Sequence, residues 1–207
     1  MKFSNSGTPA AIGPSGSGKS TVIRSIVSNA DDMFEIPPRT IALCCSPASY
    51  QQFDELQAAD RERVRVHIGL IDLEQFRETP APRCLIVDDL QLTKDQLRYL
   101  ACEYSHHAPC FTVLTFHQLY DTHNRIVRLN CSWMLLMRNP SDNSSFARFA
   151  AMFRPGFVAE LQQAFADACS RPYGYLLLDF RQEVDEKRRI LTNIFKDGTP
   201  YAYVLYK

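Results

Sequence analysis

Three absences narrow the classes of protein that this sequence can encode. No run of apolar residues approaches the roughly 18 that cross a membrane, and the first residues lack the apolar core of a secretory signal. No two cysteines have C-x-x-C spacing, and no cysteines and histidines are spaced like metal ligands. The net charge is zero, with 23 basic and 23 acidic residues, so no global charge attracts nucleic acid. We therefore expect no membrane partner, and any contact with nucleic acid must come from a local patch or from several subunits together.

The seven cysteines indicate a reducing environment. Their number is odd, and most lie within apolar runs such as Leu43-Cys44-Cys45 and Cys84-Leu85-Ile86. Buried free thiols fit this pattern better than a disulfide framework does. We expect an intracellular protein with reduced cysteines.

Short apolar runs alternate with helical stretches along the chain. The predicted strands are Pro9–Ile12, Thr40–Cys45, Arg83–Val87, Phe111–Phe116, Trp133–Met137, Gly174–Phe180 and Ala202–Tyr206. Their near-continuous hydrophobicity is typical of strands that are covered on both faces, which favours an α/β fold with a mainly parallel central sheet. No linker or shift in composition marks a boundary, so residues 1–207 are predicted to form a single domain.

Residues 13–20, Gly-Pro-Ser-Gly-Ser-Gly-Lys-Ser, match the phosphate-binding pattern GxxxxGK[ST] between a predicted strand and a predicted helix. The glycines let successive N–H groups face a phosphate, and the helix adds its positive dipole end. We expect Lys19 to contact the β- and γ-phosphates of ATP and the Ser20 hydroxyl to ligate Mg²⁺. The expected nucleotide contacts are Gly13, Pro14, Ser15, Gly16, Ser17, Gly18, Lys19, Ser20 and Thr21. The loop predicts the three-layer sandwich of P-loop NTPases; a glycine-rich turn without a ligand is the alternative.

A second apolar strand ends in two carboxylates, Asp88 and Asp89. In nucleotide-hydrolysing domains such a strand is central, and its last acidic residue meets the metal. We assign Asp88 to Mg²⁺ through water. Asp89 then faces the γ-phosphate, where it would orient or deprotonate the attacking water. The alternative is that Asp89 only caps the following turn.

A third buried strand ends in polar residues. If it lies beside the acidic strand, Gln118 is close to the γ-phosphate, where its amide could position water or sense the phosphate. Thr115 and His117 are rival candidates for that role, and a histidine at a strand end is often a structural residue.

Hydrolysis also needs a positive charge, because charge spreads over the γ-phosphate during transfer. An arginine from a neighbouring subunit often supplies it. Arg125 and Arg128, which follow the third strand, are the first candidates, with Arg188 and Arg189 behind them. A solvated surface arginine is the alternative for each.

The order of these motifs resembles the FtsK–HerA class of P-loop ATPases. Within that class, the chain is most similar to the genome-packaging ATPases of poxviruses, related large DNA viruses and Polinton/Maverick-type elements. The similarity includes His106-His107 before the strand that leads to Gln118, Asn130 before the next apolar run, and the segments 173–180 and 188–195. The family usually has Lys or Arg before the histidine, so the resemblance gives the basic role to His106. It also implies the sensor role of Gln118.

The resemblance implies an ATP-hydrolysing DNA translocase that packages a viral or transposon genome. Its cofactors would be ATP and Mg²⁺, and it would act on double-stranded DNA. Such a motor would be a homo-oligomeric ring with ATP sites between subunits, docked on a capsid or portal protein. It would work inside the host cell, in the nucleus or the cytoplasm, or in association with the virion.

Two other functions remain open at this point. A small nucleotide or nucleoside kinase would need an arginine-rich lid, for which Arg61, Arg63 and Arg65 are the available residues, although the residues that follow them read as packed structure. The other alternative is a nucleotide-dependent assembly scaffold that does not hydrolyse ATP.

Overall fold

One sheet of nine strands forms the centre of a computed structural model that describes residues 2–105, 109–195 and 199–206. The strands are β1 (Pro9–Ile12), β2 (Thr40–Cys45), β3 (Val64–Ile68), β4 (Arg83–Asp88), β5 (Cys110–Phe116), β6 (Trp133–Met137), β7 (Tyr175–Asp179), β8 (Ile190–Thr192) and β9 (Tyr201–Ala202). Their spatial order is β3-β2-β4-β5-β1-β6-β7-β8-β9. In this spatial order, the first six strands, β3-β2-β4-β5-β1-β6, are parallel to one another. β7, β8 and β9 each pair antiparallel to the strand before them.

Helices cover both faces of this sheet. They are α1 (Lys19–Ser28), α2 (Ala30–Met33), α3 (Pro47–Ala59), α4 (Leu73–Arg77), α5 (Lys94–Arg98), which continues as a π-helical segment (Tyr99–Tyr104), α6 (Arg125–Asn130), α7 (Asn143–Phe153) and α8 (Val158–Ala168). Two short 3₁₀ segments lie at Pro155–Phe157 and Glu186–Arg188. None of the described helices is long and apolar enough to span a membrane.

The core has two layers because the central strands are buried on both faces. In β1, Ala11 packs into one layer with α1 residues such as Ile23, whereas Ala10 and Ile12 pack into the other layer with Leu100 of the π-helical segment. Successive side chains of a strand point to opposite faces, so one short strand contributes to both layers. The predicted three-layer α/β sandwich with a mainly parallel sheet is confirmed.

The topology brings three strand ends to one edge of the sheet. β5 pairs with both β4 and β1, and so lies between the acidic strand and the strand that precedes residues 13–20. Because all three strands are parallel, their carboxyl ends Ile12, Asp88 and Phe116 lie at the same edge. The loops that carry the predicted site residues therefore meet there.

Two strands are absent from the sequence prediction. β3 alternates buried Val64 and Val66 with exposed Arg65, because it is the edge strand and only part of it faces the core. β8 has three residues, too few for a clear pattern. The strand predicted at 202–206 shares only Ala202 with the observed β9, and the other predicted strands are observed with ends that differ by at most one residue.

The segment offered as a kinase lid is part of the folded body. Arg63 donates from Nη1 to Asp31 Oδ1 at 2.7 Å and from Nε to Asp60 Oδ2 at 2.8 Å, directly before β3 begins. Arg63 is therefore committed to ion pairs within the folded body, which argues against its use in a lid. The cysteines are free thiols, and all except half-buried Cys102 are buried, as the composition predicts.

Candidate active site

Residues 13–20, which match the phosphate-binding pattern and are called the P-loop below, make a tight turn between β1 and α1. Gly16 has φ 75° and Gly18 has φ 109°, a region that side chains other than glycine rarely adopt. A Cβ atom on Gly13 would lie 2.5 Å from Ser17 Oγ and 2.8 Å from Met137 Cβ, so this position has no room for one. Ser20 is half-buried and Thr21 exposed at the start of α1. Glycine is therefore required at positions 13, 16 and 18, either by the backbone conformation or by the lack of space for a side chain.

Lys19 is directed into the site and is almost completely buried. Its Nζ donates to the main-chain oxygens of Gly13 at 2.6 Å and Pro14 at 3.0 Å, and it lies 3.4 Å from His117 Nδ1. Burial lowers the pKa of Lys19, while the nearby carboxylates of Asp88 and Asp89 partly oppose that shift. A desolvated ammonium close to the loop is suited to meeting an anionic phosphate.

Asp88 is the last residue of β4 and is 2 % exposed. Thr115 Oγ1, at the end of β5, donates to Asp88 Oδ1 at 2.9 Å and accepts from the main-chain N–H of Asp89 at 3.1 Å. Burial raises the pKa of Asp88, and the Thr115 hydrogen bond and then the Lys19 charge oppose the rise. Thr115, a rival candidate for the sensor, thus orients the two acidic residues.

Asp89 leaves the sheet abruptly. Its φ is 53°, in the left-handed region that aspartate tolerates better than most residues, and its side chain is 47 % exposed. The carboxylate reaches an open cavity of about 710 Å³ that is also lined by His117, Gln118 and Asn124. In the described chain, the only side-chain or main-chain partner of this carboxylate is His117, so the turn-capping alternative is not supported.

His117 lies between Lys19 of the P-loop and Asp89 of the acidic strand end. Its Nε2 lies 2.7 Å from Asp89 Oδ1 while its Nδ1 faces the Lys19 ammonium. The neutral tautomer with the proton on Nε2 satisfies both contacts, since it donates to the carboxylate and accepts from the ammonium. Sequence reasoning ranked this histidine below Gln118, and the only signal in its favour was its position at the end of the strand.

Gln118 is exposed, and its side chain lines the same cavity. Its main-chain oxygen accepts from Asn124 Nδ2 at 2.6 Å, which holds the loop that follows β5. The sensor role of Gln118 stays a prediction. His106 and His107, to which the resemblance assigns a role, lie outside the described residues.

Among the described residues, no hydrogen bond or ion pair joins a candidate arginine to Lys19, Asp88 or Asp89. Arg125 is exposed at the start of α6. The Arg128 guanidinium stacks 4.7 Å from the centre of the Tyr120 ring and lines a groove at the opposite edge of the sheet, beside Ser132 and Phe180.

The two reserve candidates differ from each other. Arg189 donates to the main-chain oxygens of Asp179 at 2.7 Å and Arg181 at 3.2 Å, so it has a structural role within its own chain. Arg188 is exposed at the end of a 3₁₀ turn.

The comparisons with known proteins give a fold. No protein-family model matches the sequence, and no curated protein matches it. The genome packaging NTPase B204 of Sulfolobus turreted icosahedral virus 2, solved in complex with AMPPCP, is similar in structure with a TM-score of 0.56 at 14 % identity, over 88 % of this chain and 96 % of B204. The B204 complex with ATP-gammaS gives a TM-score of 0.54 at 14 % identity, over 98 % and 100 % of the two chains. The expected resemblance to viral packaging ATPases therefore holds at the level of the fold.

Proposed function

We propose that this chain is an ATP-hydrolysing motor that moves double-stranded DNA into a viral or transposon capsid. The observation that carries the proposal is the junction of the P-loop with two neighbouring strand ends, where Lys19, Asp88 and Asp89 are joined through Thr115 and His117. The likeness to B204, a genome packaging NTPase that was solved with ATP analogues, supports the choice of this function among those open to P-loop proteins.

In the proposed reaction, the P-loop amides and Lys19 bind the triphosphate. Asp89 orients a water molecule, accepts its proton as the oxygen attacks the γ-phosphorus, and the bond to the β-phosphate oxygen breaks to give ADP and phosphate. Gln118, at the cavity wall, would contact the γ-phosphate or the attacking water. His117 would hold Asp89 in position while no nucleotide is bound.

The residues fit the expected Mg²⁺. Asp88 is buried with one of its oxygens bound by Thr115, and burial raises its pKa, so a cation would relieve an unfavourable buried charge. A hydroxyl and a carboxylate are hard oxygen ligands of the kind that Mg²⁺ prefers, together with substrate phosphates. Ser20 and Asp88, the latter through water, would hold the ion, which when bound neutralises phosphate charge.

A local basic segment supports contact with DNA in spite of the zero net charge. Residues 122–159 contain one acidic residue and no lysine, and their five arginines are Arg125, Arg128, Arg138, Arg148 and Arg154. Of the ion pairs in the described chain, only the one between Arg154 and Glu186 involves this set. Unpaired arginines can bind phosphates of DNA, or the γ-phosphate in a neighbouring subunit of a homo-oligomeric ring.

The test is ATP turnover with and without double-stranded DNA, with the oligomeric state measured on the same sample. We expect an oligomer whose turnover is stimulated by DNA of any sequence and whose stimulation falls steeply with salt. Arg148→Ala should weaken the stimulation and leave basal turnover unchanged. Phosphate transfer to a nucleoside by a monomer would instead favour the kinase, and nucleotide binding without turnover would favour the scaffold.

A mixing experiment tests the arginine in trans. Lys19→Ala and Arg125→Ala subunits should each be inactive alone, because one lacks the phosphate contact and the other the charge for its neighbour. In a mixed ring some junctions combine an intact P-loop with an intact arginine, so activity should return. The same experiment with Arg128→Ala identifies which arginine acts, and a mixture that stays inactive for both would refute the two assignments.

A further inference from the structure

Tyr173 is in an unusual position for a large aromatic residue. It lies in the turn between α8 and β7, is 59 % exposed, and has φ 61°, a left-handed conformation that is unfavourable for a bulky side chain. The next residue, Gly174, packs so closely that it has no room for a side chain, because a Cβ atom there would lie 2.4 Å from the Ala168 main-chain oxygen. The turn therefore holds Tyr173 in place, and packing in the core does not account for its ring.

The same residue contacts the P-loop. A Cβ atom built on Gly18 would lie 2.8 Å from Tyr173 Cβ and 3.1 Å from its Cδ1. Gly18 is the residue that precedes α1, so the tyrosine stands beside the amides that would bind phosphate. The described chain offers no hydrogen-bond partner to the Tyr173 hydroxyl, and more than half of the residue is exposed.

The sheet topology indicates which end of a nucleotide would meet this ring. Lys19, Asp88 and Asp89 lie on the side of the P-loop that faces β5 and β4, and this side would receive the γ-phosphate. β6 and β7 lie on the other side of β1, and because β7 is antiparallel to β6 with Tyr175 opposite Met137, it begins at the P-loop edge. A triphosphate with its γ end at Asp89 would direct its nucleoside toward Tyr173.

We propose that Tyr173 is the base-stacking residue of this site, with its ring against one face of the purine of a nucleoside triphosphate. The proposal rests on the proposed nucleotide-binding function. Stacking on an aromatic ring is tolerant of base identity because every base has a π-face. ATP and GTP should therefore bind with affinities within about fivefold of each other, whereas a triphosphate without a base loses the contact.

The experiment is calorimetric titration of MgATP and of magnesium tripolyphosphate into four proteins: the wild type, Tyr173→Asn, Tyr173→Phe and Tyr206→Ala. Asparagine tolerates a left-handed backbone and removes the ring, and Tyr206 is a control aromatic that is 75 % exposed. We expect Tyr173→Asn to weaken MgATP binding about tenfold or more and to leave tripolyphosphate binding within twofold. Tyr173→Phe and Tyr206→Ala should bind both ligands like the wild type.

Two results would overturn the stacking role: unchanged MgATP affinity in Tyr173→Asn, or an equal loss for both ligands, which would indicate damage to the P-loop through Gly18. If the asparagine variant does not fold, Tyr173→Gly, which suits the positive φ, replaces it with the same expectation. The Lys19→Ala variant separates a failure of the stacking role from a failure of the nucleotide site. If the wild type binds neither ligand, or if Lys19→Ala binds both normally, the nucleotide site itself is wrong.

Discussion

The two flanks of the P-loop present different kinds of side chain. Toward β5 and β4, hydrogen bonds join Asp88, Thr115, Asp89 and His117 in one polar group, in which Asp88 is buried. Toward β6 and β7, the neighbours are Met137 and the ring of Tyr173. Charge that must be held precisely for a reaction requires fixed polar partners, whereas a nucleoside can be bound by apolar contact. After the roles proposed for them, we call the side toward β5 and β4 the reaction flank and the side toward β6 and β7 the recognition flank.

Lys19→Ala should be the most damaging single change, because Lys19 contacts the loop and faces both acids. We expect ATP turnover to fall about a thousandfold or more, since a desolvated positive charge at the phosphates is lost. Turnover and calorimetric affinity for MgATP and for tripolyphosphate should be measured together. Lys94→Ala, an exposed lysine at the start of α5, is the matched control and should behave as the wild type.

Asp89→Asn should damage the reaction flank alone. The amide keeps the size of the carboxylate but cannot accept the proton of the attacking water, so we expect kcat to fall about 100- to 1,000-fold. Affinity for MgATP should stay within about threefold, because Asp89 is not expected to bind the nucleotide tightly. Single-turnover assays with calorimetry measure both quantities, and Asp95→Asn on α5 is the control. Normal turnover would remove Asp89 from the mechanism.

The reaction flank could largely be predicted from the sequence. Lys19 belongs to a local motif, and Asp88 and Asp89 directly follow an apolar strand, so the carboxyl ends of parallel strands suffice to bring them together. Strand ends alone do not decide whether His117 or Gln118 lies beside Asp89. The answer depends on where Asp89 points, and the φ of 53° that directs it is a property of the folded turn.

The recognition flank gives almost no signal in the sequence. Tyr173 lies far along the chain from Gly18, and the two meet only because β7 returns antiparallel beside β6. In the sequence, Tyr173 appears as a turn residue before an apolar strand. The two missed strands have a similar explanation, since β3 and β8 gain their pairing from neighbours rather than from their own composition.

His117→Ala and Gln118→Ala separate the roles of two neighbouring side chains of the reaction flank. We expect each variant to lose about tenfold in kcat with little change in KM, because each side chain would act on the attacking water or on Asp89. The two variants should differ in thermal stability when no nucleotide is bound. His117→Ala removes contacts to Lys19 and Asp89 and should lower the thermal midpoint by about 1–3 °C, whereas Gln118→Ala should leave it unchanged. Equal midpoints would argue that the His117 contacts contribute no stability.

Asp88→Asn should make the nucleotide-free protein slightly more stable. Burial raises the pKa of Asp88, which means that the fold holds its charged form at a cost. Asparagine keeps an oxygen that can accept from Thr115 and removes the buried charge, so the thermal midpoint of the nucleotide-free protein should rise by about 2–4 °C. Calorimetric melting in the absence of Mg²⁺ measures it, with Asp95→Asn as an exposed control. A lower midpoint would mean that the attraction between Asp88 and Lys19 outweighs the desolvation of the carboxylate, and that this flank is electrostatically satisfied before any nucleotide binds.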